Sequence, residues 1–151
     1  MMAILLQLLE LVILAGLGMM AGAVIYTSYV ELPVRQKLDA QGQLQNWQLV
    51  FPAASGFLKP FGIGLFPFFV IVGYVSGSWL WVLSTLLQIA VQPFTAMFIS
   101  KTNNTLVAVG LVDATAATTN LIRKWDRLHR VRTALTSLSF TCALIAHFQT
   151  L

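Results

Sequence analysis

ILLQLLELVILAGLGMMAGAVIYTSYV, residues 4–30, contains one charged side chain, Glu10. A helix needs roughly 20 apolar residues to cross a bilayer. This stretch has enough, and Pro33 closes it. Three more stretches qualify: 57–76, rich in Phe and Gly; 79–100, with Pro93 inside it; and 128–150. Proline is tolerated in such helices when neighbours satisfy the freed carbonyl. Ser76-Gly77-Ser78 reads as a short turn between the second and third. Composition agrees: 58% of the 151 residues are hydrophobic and 9% are charged, against about 25% charged in a soluble domain. The mean hydropathy is +0.80. The fold class expected is all-α, a four-helix bundle integral to the membrane. Residues 1–151 form one domain. A short interfacial helix or loop over 31–56 joins spans 1 and 2, and an amphipathic segment over 101–127 joins spans 3 and 4. The lone Cys142 has no disulfide or metal partner and reads as a packing residue.

Charge placement sets the expected topology. Arg35, Lys37 and Lys59 fall in or beside the first long connection. Lys101, Arg123, Lys124, Arg127, Arg130 and Arg132 fall in or beside the second. With four spans, both connections lie on one side. The positive-inside rule puts loops 31–56 and 101–127 in the cytosol and both termini opposite. The net charge of +4 therefore reads as topology and contact with anionic headgroups, not as a nucleic-acid footprint. No targeting signal appears, so the location expected is a multi-pass place in the endoplasmic reticulum or another endomembrane, if the cell is eukaryotic. Ala21-Gly22-Ala23 resembles a signal-peptide cleavage site, but no basic segment precedes it and the apolar run continues beyond it. Gly18 and Gly22 form a GxxxG, a spacing that favours close helix packing and permits a homodimer.

WDRLHRVR, residues 125–132, concentrates charge where the fourth span begins. On a helix Trp125, Leu128, His129 and Arg132 share a face. Asp126 and Arg130 share another, at the spacing of an i,i+4 ion pair on a solvated surface. The plain reading is a headgroup belt, with Trp at interface depth and Arg snorkelling. Arg132, however, lies inside the span, where an ionisable group is costly and tends to be functional. His147 is expected among headgroups at the far end. Glu10 is expected either near water or paired with Gln88 or Thr141.

The stretches GLGMMAGAVIYTSYVELP, NWQLVFP, QPFTAMFISKTNNTL and WDRLHRVR, in that order on a four-span background, resemble the DUF1772 family, whose best-known members are the fungal anthrone oxygenases. The resemblance implies a monooxygenase without metal or flavin, with O2 as co-substrate. Such an enzyme oxidises an anthrone-like or polyketide-derived aromatic of secondary metabolism to a quinone. The sequence is compatible with that, having no HxxxH pair, Cys/His cluster or GxGxxG.

Anthrones carry an acidic C–H beside an aromatic ketone. Loss of that proton gives an electron-rich enolate able to reduce O2 directly. The protein need supply only a base, a stabiliser for the anion and a flat apolar slot. Under this reading His129 is the base and Arg132 stabilises the enolate oxygen. Trp125 and Trp47 stack on the ring, and Asn103 or Asn104 binds a phenol or carbonyl. Tyr26, Tyr29 and Glu31 rank below them. The bland alternatives are that Trp47 anchors a loop and that the two asparagines cap a helix starting at Thr105. A hydrophobic aromatic small molecule and the lipid bilayer are the partners expected. The competing function is a non-catalytic scaffold or assembly protein of a biosynthetic complex. A small transporter is weaker, because intramembrane charges are scarce. An enzyme should converge its candidate side chains on a closed pocket of several hundred Å3; a scaffold should splay them outward.

Overall fold

The structure, a computed structural model, describes residues 2–149. The order is α1 (Met2–Tyr26), a π-helical turn (Thr27–Glu31), α2 (Leu32–Arg35), α3 (Ala40–Val75), α4 (Trp79–Phe94), a second π-helical turn (Thr95–Ile99), α5 (Ser100–Ala108), a 3-10 turn (Leu111–Asp113) and α6 (Ala116–Phe148). Among the described residues four helical stretches are long and apolar enough to cross a membrane: Ile4–Arg35, Ala40–Val75, Trp79–Ala108 and Ala116–Phe148. The chain is a membrane-spanning helical bundle, as the sequence predicts.

The helices run further than the apolar stretches. At 1.5 Å per residue α3 is about 54 Å long and α6 about 50 Å, against a hydrocarbon core of about 30 Å. α3 starts at Ala40, because Asp39 caps it, accepting from Gly42 N at 2.8 Å. The polar run after it is amphipathic: Gln43, Leu44 and Trp47 are buried at helical spacing. Residues 40–56 are therefore helix, with only 36–39 left as the turn after α2. Pro52, Pro60 and Pro67 all lie inside α3 on exposed positions. α6 likewise begins twelve residues before its apolar stretch, at a capping box between Thr115 and Thr118. Among the described residues Gly77 alone takes a positive φ, 64°, and it turns the chain between α3 and α4.

Two cores stack along the bundle. One joins Ile13, Leu17, Phe69, Val72, Trp81 and Ala143, and buried Cys142 belongs to it. The other joins Leu32, Leu44, Trp47, Ile99, Ile122 and Trp125 at the charged end. α4 and α6 approach closely through a reciprocal pair: Ser84 Oγ donates to the Ser139 carbonyl and Ser139 Oγ to the Ser84 carbonyl, each at 2.9 Å. The GxxxG of α1 is not a contact of this kind. Gly22 faces open space, and Gly18 meets only the Phe140 ring. The buried glycines that admit a neighbouring helix are Gly16, under Leu65 of α3, and Gly73 of α3, under Thr85 of α4.

His147 does not face outward. It is buried, and its Nδ1 lies 2.7 Å from Glu10 Oε2, itself 1% exposed. Neither Gln88 nor Thr141 meets Glu10. Two polar groups this deep in apolar surroundings are each other's cheapest partner. Glu10→Ala is expected to lower bundle stability by about 1–3 kcal/mol, read as thermal unfolding in detergent. An unchanged midpoint would mean that the pair contributes nothing.

Candidate functional site

Both π-helical turns sit where the charged end of the bundle begins. A proline lies two residues from each, Pro33 after the first and Pro93 before the second, and neither has an N–H to give its helix. Widened turns re-aim side chains and are frequent at functional sites. Thr27 and Glu31 from the first, and Thr95 and Ile99 from the second, face a common cleft. α3 adds Trp47, Phe51 and Lys59, α5 adds Asn103, and α6 adds Trp125, His129 and Arg132. All four membrane-spanning stretches contribute to its wall. The cavity measures about 140 Å3 and is partly open. It is smaller and less closed than the pocket expected from sequence.

His129 is 5% exposed, and among the described residues neither ring nitrogen has a hydrogen-bond partner. The Val24 carbonyl on α1 comes near the ring without reaching hydrogen-bonding geometry, and it already accepts from Thr133 Oγ1 at 3.2 Å. A buried imidazole with both nitrogens unsatisfied is costly unless something else binds there. Its ring stacks on Trp125, with centroids 4.9 Å apart and planes 14° from parallel. Trp125 is fixed in turn: its Nε1 donates to Asn103 Oδ1 at 2.7 Å, and the Arg35 guanidinium carbon lies 5.3 Å from its ring centroid.

Arg35 is 1% exposed and is the hub of a buried network. Its Nη1 donates to Glu31 Oε1 at 2.8 Å and its Nη2 to Asp126 Oδ1 at 2.9 Å, while Gln36 Nε2 donates to Asp126 Oδ2 at 2.9 Å. The i,i+4 pair expected between Asp126 and Arg130 therefore does not form. Asp126 is buried, since Ile122, Trp125, Asp126, His129 and Thr133 all lie on the inward face of α6, and Arg130 points out. Both Glu31 oxygens are engaged, the second by Thr27 Oγ1 at 3.3 Å. Arg132 is half-buried in the cleft wall and makes no ion pair or hydrogen bond among the described residues. The cleft thus presents an unpaired guanidinium and a free imidazole beside aromatic surface.

Of the residues singled out from sequence, Trp47, Asn103, Trp125, His129 and Arg132 converge on the cleft. Asn104 does not; it is exposed on the far side of α5. The asparagines cap nothing, because α5 starts at Ser100 and runs through them. Trp47 is fully buried rather than a loop anchor, and one of its faces is taken by Phe51 at 4.6 Å. Tyr26 and Tyr29 point outward at 60% and 76% exposure, whereas Glu31 lines the cleft. Arg35 was legible only as a topology charge. Its i,i+4 spacing from Glu31 hints at a helical pair, but its tie to Asp126, 91 residues away, leaves no mark in the sequence. Among the described residues no three His, Cys, Asp or Glu side chains gather where they would hold a metal ion.

A family profile described as "Anthrone oxygenase" matches residues 47–142, more than half of the chain. The match spans the cleft residues from Trp47 to Arg132 and leaves α1 and Arg35 outside it. No curated protein and no solved structure matches.

Proposed function

Since the chain belongs to the anthrone oxygenase family, we propose that it oxidises an anthrone-like aromatic to a quinone with O2, without metal or flavin, in the cleft around His129. The observation that carries this reading is the buried imidazole with two unpartnered nitrogens beside an unpaired arginine. The reacting edge of a tricyclic ketone sits against His129, with the rest of the ring in the open mouth, which an enclosed pocket of this size would not admit.

His129 takes the C–H proton. Arg132 stabilises the charge that develops on the enolate oxygen. Glu31 is the weaker base, because Arg35 and Thr27 occupy both of its oxygens. The enolate passes one electron to O2. The radical pair then combines to form a C–O bond, and the protonated imidazole returns its proton to the distal peroxide oxygen. Loss of the second C–H proton with O–O cleavage leaves the new carbonyl and one water. The methylene and O2 become a carbonyl and water, so no outside reductant is needed. Trp47 and Phe51 supply apolar surface to the ring, Asn103 holds Trp125, and Trp125 holds the imidazole.

The basic end faces the cytosol by the positive-inside rule, which puts the cleft at the cytosolic interface, where an apolar substrate collects. The purified protein in detergent, given a simple anthrone in air, is expected to form quinone faster than the spontaneous reaction. With 18O2 the product should carry one labelled oxygen per O2 consumed. A rate equal to autoxidation across a small panel of anthrones would overturn the assignment.

A further inference from the structure

A second site lies on the outer face of the bundle, between α1 and α6. Arg123, Arg127 and Arg130 are exposed and recur at i, i+4 and i+7 on α6, so they form one stripe. None has a carboxylate partner among the described residues. Asp126 lies in the same basin, but both of its oxygens are committed to Arg35 and Gln36. The basin, about 490 Å3, therefore has no anion to offer the arginines.

Arg130 also borders a second cavity, a groove of about 290 Å3 that continues along the two helices. Its floor is made of small residues: Ser28, Thr133, Ala134 and Ser137. Two of the hydroxyls are already satisfied by each other, Ser28 Oγ lying 2.8 Å from Thr133 Oγ1. Of the floor's hydroxyls only that of Ser137 is left for an occupant. Ile25 of α1 and the 76%-exposed Tyr29 of the π-helical turn after it form the opposite wall.

Direction decides what fits. α1 and α6 pack antiparallel, so moving from Arg123 to Ser137 on α6 and from Tyr29 to Ile25 on α1 both lead from the charged end into the apolar span. The site is cationic at interface depth and narrow, small-floored and apolar below it. We propose that this continuous basin and groove bind one anionic phospholipid, with its phosphate on Arg127 and Arg130 and an acyl chain along the groove. The chemistry favours a lipid over a soluble anion because the two cavities share Arg130 and the lower one has no other charge. Arg130 adjoins His129 in sequence, so the lipid would brace α6 at the height of the cleft.

Native mass spectrometry of the detergent-purified protein would test this with phosphatidylglycerol, phosphatidylcholine of the same chains, and inorganic phosphate. Phosphatidylglycerol is expected to remain bound and raise the unfolding temperature, and the other two to do neither. The triple variant Arg123→Gln/Arg127→Gln/Arg130→Gln should bind it about a hundredfold more weakly, at about fivefold per arginine. Ala134→Leu, which fills the groove without changing charge, should also weaken binding at unchanged stability in lipid-free detergent. Equal retention of phosphatidylcholine, equal stabilisation by inorganic phosphate, or an Ala134→Leu protein that binds as the parent does would each overturn the proposal.

Discussion

His129→Gln is expected to lower quinone formation by about 10²–10⁴-fold, the usual contribution of a positioned base, while leaving the unfolding midpoint nearly unchanged. The two halves of that expectation come from one observation. Neither ring nitrogen of His129 has a hydrogen-bond partner among the described residues, so removing the ring breaks no hydrogen bond there. Glutamine keeps much of the volume and the contact with Trp125, whose stacking at 4.9 Å is worth only about 0.5–1.5 kcal/mol. A structural histidine would show the reverse, with activity falling only as far as folding does. Comparing turnover with thermal unfolding of the same preparation separates the two cases. If the variant keeps full turnover, the base lies elsewhere, and Glu31 is the next group in the cleft to replace.

Asp126→Ala is expected to do the opposite and unfold the charged end. Removing one partner of a buried ion pair costs about 3–5 kcal/mol, because the other charge is left without compensation. Arg35 is 1% exposed and its Nε already lacks a partner. Without Asp126 its Nη2 would be stranded as well, and Gln36 would lose its acceptor. The double variant Arg35→Met/Asp126→Leu should recover much of the loss, since apolar residues of similar size commonly replace a buried pair without penalty. Glu31 then keeps its bond from Thr27. The recovery should be in stability but not in activity, because the guanidinium over Trp125, and with it part of the support under His129, is gone. A double-mutant cycle on unfolding in detergent gives the coupling between the two residues. A coupling near zero would mean that Arg35 is held by Glu31 alone.

How much of this was readable in advance follows from what each signal depends on. The four spans were legible because a bilayer imposes a local rule: some 20 consecutive apolar residues, countable along the chain. The Trp125/His129/Arg132 face was legible for a similar reason, since helical spacing is a property of one segment. The helix starts at Ala40 and Ala116 were not found by hydropathy, because those turns lie beyond the apolar core and are amphipathic. Asp126 was misread for a related reason. Charge on a helix flanked by Arg127 and Arg130 looks solvated, and only the position of α2 turns it into a buried residue.

The sequence by itself determined that this chain crosses a membrane as a helical bundle, which end is basic, and which segment of α6 carries the unusual histidine. These are sums or periodicities over neighbouring residues. The tertiary structure alone decided that Arg35 meets Asp126, that Glu10 meets His147, and that Asn103 but not Asn104 reaches the cleft. Each depends on the rotation and depth at which two distant helices pack. Two widened turns and close glycine contacts at Gly16 and Gly73 contribute to that geometry, and no local pattern encodes it.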